Sequence, residues 1–495
     1  MIAKSTIMKK IFTLLVAGII LGTAVYLVLQ IPRPGRSAET PSAISDTALS
    51  SSDEWLGMYI HGERVGYTFT KLTRTGQGLT VESRSHMTIF MMQETQSLAT
   101  TFFAHTDTNY TLKDFNLEIK TAGHPTKIEG SIEGTSMKLT SYSQGVPQTK
   151  TFQLKEKPFF PDALEELIKS RGLKPGDEIS VPYFDPTTQS QSPAQITIFE
   201  PEDVKVNGVA RRGTKVQVRF MGIVTFTWLD NDFKLIKEYT PALGLEMIPL
   251  SKEEALAEIK PDQAFDLLSF FAVKLARPLP AQQHLTFIKL ELKNIDIGEL
   301  ELTDDYQNLV SRQPLVIELK LPDIKTLPAL RIPINDQAEF LNSSVYIQSD
   351  HPDIIKAAHG IIGDEKDAAK AAEKLVHGVF KMLKKKPTPS LPSALDVLKT
   401  KEGDCNEHAI LYAALARAAG IPAKIYVGLV NIWGDAYWYH AWCAVWLGSW
   451  VAVDPTFDQF PADVYHLKLM EGEIAEQAKV LTVVGKLGID ILEYK

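Results

Sequence analysis

A chain of 495 residues with 52 basic and 60 acidic side chains, a net charge of −8 and a pI near 5.8 is long enough for several domains and too acidic to have nucleic acid as its main partner. Two cysteines in that length exclude a fold built on disulfides, so compartment has to be read from topology.

Residues 1–10 form a short basic tail with Lys4, Lys9 and Lys10. Residues 11–31 are apolar and uncharged, close to the ~20 needed to span a bilayer. A cleaved signal peptide would have a shorter apolar core and a small-x-small site, so an uncleaved anchor is expected. Lys4, Lys9 and Lys10 against Arg33 and Arg36 place the N-terminus inside. The expectation is a single-pass membrane protein with its bulk outside the cytoplasm, periplasmic or extracellular. Residues 32–52, rich in Pro, Ser, Ala and Thr, read as a tether.

From 53 to 250 the period is mostly two. Met58 to Ile60 and Val65 to Leu72 flank the hairpin signal His61-Gly62-Glu63-Arg64, and Val216, Val218 and Phe220 alternate with Lys215, Gln217 and Arg219. One helix interrupts, Asp162 to Arg171, between Pro161 and Gly172. A twisted antiparallel sheet wrapped around or beside that helix is expected, serving as a spacer or binding module. Residues 251–276 read as connecting helices: Ser251 and Glu254 make a capping box, Pro261 splits the segment, and Ala264 to Ala276 is the second half. Residues 277–348 are a small β region with strands Leu285 to Leu292 and Leu315 to Leu321, either a separate domain or an extension of the following sheet.

The last domain is expected over 349–495. Asp353 to Gly360 and Glu365 to Lys385 have helical spacing, with Lys384-Lys385-Lys386 as a solvated helix end. Pro387-Thr388-Pro389 breaks the chain, and Ser393 to Leu398 is a short helix. No internal repeat, P-loop, dinucleotide fingerprint, HExxH or CxxC occurs, so neither cofactor nor metal is expected.

The chemistry concentrates between Gly403 and Asp454. Asp404 reads as an N-cap and Glu407 completes a capping box, making Cys405 the first residue of a helix that runs to about Ala419 and stops at Gly420. At that position free amides and the helix dipole favour thiolate over thiol. His440 opens an alternating apolar run, Ala441 to Leu447, and Trp450 to Val453 is a second strand ending in Asp454. A three-residue loop, Leu447-Gly448-Ser449, sets Trp446 opposite Trp450 and turns His440 and Asp454 to one side of the sheet. A two-residue loop would pair Cys443 with Asp454 and turn the carboxylate away.

These segments, Gly403-Asp404-Cys405-Asn406-Glu407-His408, Arg417 to Ala423, Tyr439-His440-Ala441-Trp442 and Trp450 to Thr456, resemble the core motifs of the transglutaminase-like superfamily. The resemblance covers roughly 350–495. It implies an α+β fold with a papain-like core of helices packed on an antiparallel sheet. It also implies Cys405 as nucleophile, His440 as general base and acid, and Asp454 as orienter. Family members include cross-linking enzymes, peptidases, other amidases and inactive relatives. Calcium dependence, known in some relatives, has no support in the scattered acidic residues near the site.

Other residues have plainer readings. Cys443 is expected in the core, facing away from His440. His408, one turn along from Cys405, is the rival base, but its expected role is a partly exposed helix histidine; His466 is expected to be structural. Five of the seven tryptophans fall between Trp433 and Trp450. A buried sheet face accounts for most of them, with Trp433, Tyr437 and Trp438 as candidate walls of a substrate cleft. The function expected is a membrane-anchored cysteine enzyme acting on protein or peptide amides by acyl transfer or hydrolysis. A non-catalytic scaffold that binds peptide or envelope polymer is the remaining class.

Overall fold

The computed structural model describes residues 50–495 except 92–93, 122–124, 144–145, 161–162, 260–271, 281–283, 296–297, 299, 387–392, 474–476, 478, 481–482 and 484. The expected tail and anchor, and all but the last residues of the expected tether, lie outside the described residues. Among the described residues no helix is long and apolar enough to cross a membrane. Two compact units divide near residue 268.

The first unit is one antiparallel sheet of fourteen described strands. Strands β1 (Ser50–Ile60), β2 (Glu63–Thr75), β3 (Gly78–Met91), β4 (Glu94–Thr106), β5 (Leu112–Lys120), β6 (Thr126–Glu133), β7 (Ser136–Ser143) and β8 (Val146–Gln153) run outward in order. After helix α1 (Leu164–Arg171) the chain re-enters at the other edge. Strands β9 (Glu178–Asp185), β10 (Ser190–Val206), β11 (Val209–Phe220), β12 (Ile223–Leu229), β13 (Leu235–Thr240) and β14 (Leu245–Pro249) return to pair with β1. The period-two pattern explains the pleat: Val216, Val218 and Phe220 are buried while Lys215, Gln217 and Arg219 are less so. The first hairpin turns on two residues, His61 at φ 49° and Gly62 at φ 86°, the positive pair a tight turn between twisted strands requires. Phe115 on β5 meets both Phe102 on β4 and Phe184 on β9, so strands far apart in sheet order share one aromatic core. The sheet therefore curls, and α1 buries Leu164, Leu167 and Ile168 and pairs Glu166 with Arg74 of β2. Gly172, at φ 60°, ends α1. Helix α2 (Lys252–Leu256) starts at the expected Ser251–Glu254 capping box.

The second unit opens with a correction. Residues 260–271 lie outside the described residues, but Val273–Lys274, expected in a helix, are strand β15. They pair with Tyr437 and Ala436, because an exposed sheet edge offers this segment more backbone hydrogen bonds than one isolated turn would. Strands β16 (Phe287–Lys293), β17 (Gln307–Arg312) and β18 (Leu315–Lys320) form a small sheet whose other edge is the last strand of the chain, residues 488–494.

Three helices follow: α3 (Pro352–Ile362), α4 (Ala368–Met382, capped by Asp367) and α5 (Ala394–Thr400, capped by Ser393). The expected long helix thus ends at Met382. Lys384–Lys385 are not a solvated helix end but a short strand, β19, parallel to β20 (Glu402–Gly403). Lys384 and Lys386 pair with Glu402, which fixes the extended conformation.

Helix α6 (Cys405–Ala418) is buried along nearly its whole length and packs on the second sheet, in which β15, β22 (Ala436–Trp446), β21 (Ala423–Asn431) and β24 (His466–Glu471) lie in that order and β23 (Trp450–Val453) pairs with β22. The last strand, β25 (Gly488–Tyr494), completes the small sheet beside β16. Gln307 ties the two sheets: its side-chain amide donates to the Lys468 carbonyl at 2.8 Å, and its carbonyl accepts from the Lys468 N–H at 2.9 Å.

Candidate active site

Helix α6 begins as its sequence demands. The Asp404 carboxylate accepts from the Asn406 N–H at 3.1 Å, and the Glu407 carboxylate accepts from the Asp404 N–H at 2.9 Å. Cys405 is therefore the first helical residue, with its amide at the positive helix end. Gly420, at φ 80°, ends the helix after Ala418, and a Cβ there would lie 2.7 Å from Pro333 Cβ.

The thiol environment overturns part of the sequence argument. Cys405 is 3% exposed, and burial, followed by the negative charge of Asp404, pushes its thiol well above the ordinary range. The Ala441 backbone N–H donates to the sulfur and pulls the other way, but does not win. The helix N-terminus alone does not decide ionisation when the site is this dry.

The hairpin that carries the other two groups has the expected longer loop. Trp446 pairs with Trp450 and Cys443 with Val453, Leu447 N–H donates to the Ser449 carbonyl at 2.9 Å, and Gly448 takes φ 93°. His440 and Asp454 meet in consequence: His440 Nε2–H donates to Asp454 Oδ2 at 2.7 Å, with both side chains fully buried. The other oxygen, Oδ1, accepts from the N–H groups of Thr456 at 2.6 Å and Phe457 at 3.2 Å. Burial alone would raise the Asp454 carboxyl, but the two histidines bonded to it hold it far below the usual range. His440 is lowered by burial against the opposing pull of Asp454. Its ring is near-parallel to those of Phe457, at 4.8 Å, and Trp442, at 6.0 Å. Nδ1 of His440 has no hydrogen-bond partner among the described residues.

Three further side chains differ from expectation. His408 is not partly exposed but buried: its Nδ1–H donates to the Asp404 carbonyl at 2.6 Å, and burial lowers it to about 4, leaving a poor base at neutral pH. His466 has its Nε2–H on Asp454 Oδ2 at 3.0 Å and its Nδ1–H on Asp463 Oδ1 at 2.9 Å. Tyr437, expected as a cleft wall, is fully buried and so lines no open groove. Trp433 and Trp438 pack edge to face at 5.5 Å and keep partial exposure, and Trp438 shares a strand face with His440. Cys443 is buried, its S–H donating to the Ala409 carbonyl at 3.2 Å, and both cysteines are free.

Sequence reasoning missed Phe457, Asp463, the contact of His466 with Asp454, and Lys385. Lys385 is partly buried, lies over the rings of Phe380 and Phe457, and is lowered by desolvation against the pull of Asp454 and Asp458. Its parallel pairing with Gly403, two residues before the cysteine, was the signal that single-strand periodicity cannot carry. His440, Asp454 and His466 bring three donor atoms within 4.8 Å, a spacing a metal ion also uses. The hydrogen bonds to Asp454 account for the cluster, since each histidine turns an N–H toward the same carboxylate oxygen. A recess of about 360 Å³ lies at the other end of α6, lined by Arg417, Lys424, Glu471 and Glu473 among others, and includes none of these residues.

Residues 355–455 match the sequence pattern of the Transglutaminase-like superfamily. No curated protein matches. Among solved structures, a candidate cysteine protease from Cytophaga hutchinsonii is 17% identical, covering 43% of this chain and 87% of its own, with a TM-score of 0.29. A β-barrel-like protein from Brucella abortus, with a domain of unknown function, is 13% identical over 40% of this chain and 93% of its own, with a TM-score of 0.31. A candidate protease from Parabacteroides distasonis is 12% identical over 65% of this chain and 62% of its own, with a TM-score of 0.18.

Proposed function

We propose, from the premise that residues 355–455 form a domain of the transglutaminase-like superfamily, that this protein is a cysteine enzyme acting on protein or peptide amides. The observation that carries the reading is the buried His440 to Asp454 hydrogen bond on the strand whose next residue, Ala441, holds the Cys405 sulfur. Asp454 fixes the tautomer of His440 with the proton on Nε2, which leaves Nδ1 as the base. Nδ1 takes the Cys405 proton as sulfur attacks the amide carbonyl. The amine then leaves with that proton, and a thioester forms. Water or a second amine attacks the thioester, gives its proton to His440, and returns the thiol. Hydrolysis or an isopeptide cross-link results.

The thiol and the imidazole both start neutral in this dry site, so proton transfer accompanies attack rather than preceding it. Trp438 and Trp433 are the wall that borders the substrate. The apolar run at 11–31 anchors the chain in a membrane with the enzyme outside the cytoplasm, where protein and peptide amides are its substrates.

The test uses full-length protein with a glutamine-bearing peptide, with and without a primary amine, followed by mass spectrometry. Deamidation or chain cleavage reports hydrolysis and amine incorporation reports transfer. Cys405→Ala is expected to lower either rate by at least about 10³-fold. Peptide binding that persists in Cys405→Ala, with no turnover by the wild type, would establish the scaffold reading instead.

A further inference from the structure

Asp454 is held from two sides, and only one of them belongs to the three residues above. On Oδ2 two imidazoles converge, His440 at 2.7 Å and His466 at 3.0 Å. The far nitrogen of His466 is held by Asp463 at 2.9 Å, and Asp463 is itself fixed: Gln459 Nε2 donates to its Oδ2 at 2.7 Å, and the Tyr465 N–H to its Oδ1 at 3.1 Å. Gln459 in turn pairs with the Asp454 backbone, each N–H donating to the other's carbonyl at 3.0 Å. The loop from Asp454 to His466 thus closes on itself. His466 is fully buried between two carboxylates, so both ring nitrogens donate and the ring is an imidazolium.

We infer that His466 is a positioning residue of the Cys405, His440 and Asp454 centre: bridged between Asp463 and Asp454, it fixes the oxygen that orients His440 and cancels the charge of that oxygen's carboxylate. The inference rests on the catalytic reading above. Its physical content is that Asp454 alone would both orient His440 and make it more basic. A cation on the same oxygen keeps the orientation and removes the excess basicity, so His440 rests as a free base. Burial opposes charge on His466, yet the two carboxylates raise it to about 10, consistent with a permanent cation at neutral pH.

The test is a double-mutant cycle on full-length protein, read as the iodoacetamide labelling rate of Cys405 by peptide mass spectrometry, which needs no substrate. His466→Leu frees Asp454 to turn away and is expected to slow labelling at pH 7 by about tenfold in the wild-type background, the lost orientation of His440 outweighing its gain in basicity. It is expected to have almost no effect in Asp454→Ala, because it acts through that carboxylate. His466→Gln, which keeps a donor, is expected to recover most of the rate. An equal factor in both backgrounds would mean that His466 serves the fold alone and would overturn the inference. So would full-rate labelling in His466→Leu. Should His466→Leu not fold, the same cycle is run with His466→Gln. A displaced labelling pH profile that becomes undisplaced in Asp454→Ala then supports the role, and equal profiles in the two backgrounds reject it. His440→Ala separates the two claims. Labelling indifferent to His440 removes the catalytic reading and this inference with it, whereas labelling that needs His440 but not His466 removes the inference alone.

Discussion

At the residue scale the site is governed by competition between burial and local charge. Cys405 sits where amides favour a thiolate, but it is buried and Asp404 lies beside it. Asp404 is needed as a cap and opposes ionisation of the residue it presents. Asp404→Asn separates the two effects, since asparagine caps as well as aspartate and carries no charge. The expected outcome is an unchanged melting temperature with the pH profile of Cys405 labelling moved to lower pH. An unmoved profile would mean that burial alone sets the thiol. What the sequence made legible here was the placement of Cys405 at a helix start, of His440 on a strand and of Asp454 just past the end of the next, because a cap and a turn length are local signals. His466 was not legible. Its partner is twelve residues away across a loop that closes through Gln459 and Asp463, and no periodicity reports such a closure.

At the element scale, α6 and the β22 to β23 hairpin were readable in detail, because capping boxes and turn lengths act over four or five residues. The short parallel pair β19 and β20 and the edge strand β15 were not, since each consists of two residues whose conformation comes from a partner far along the chain. Helix α6 carries a further cost in its second turn, where His408 is buried as a neutral ring. Its folded value of about 4 lies below the unfolded 6.5, so the unfolded chain binds a proton that the folded one refuses. Stability from this group is complete above about pH 6.5 and is lost as pH falls toward 4, by roughly 3 kcal/mol in all. His408→Leu should therefore flatten the decline of unfolding free energy between pH 7.5 and 4.5 by about that amount, measured by denaturant melts. Parallel slopes for wild type and variant would reject the assignment.

At the scale of the whole molecule, the sequence distinguished a β-rich first unit from a second unit built of helices and sheet, but left open whether residues 277–348 stand alone. They do not. Strand β16 lies between β18 and the C-terminal β25, and Gln307 is bonded to Lys468 on β24, so the small sheet is closed by chain from both ends of the second unit. Such long-range closure is invisible to a windowed reading, because β25 is seven residues of ordinary alternation whose partner lies some two hundred residues earlier. A stop codon at Gly488 would remove buried Ile489, expose the β16 edge and unpack Leu290 and Leu292, both buried. Calorimetry of the full-length protein and the truncated form should show the second unit melting at least about 5 °C lower, with the transition of the fourteen-stranded unit unchanged because none of its strands pairs with β25. A uniform shift of the whole profile would mean that the two units unfold as one, and an unshifted profile would mean that β25 adds nothing to the second unit.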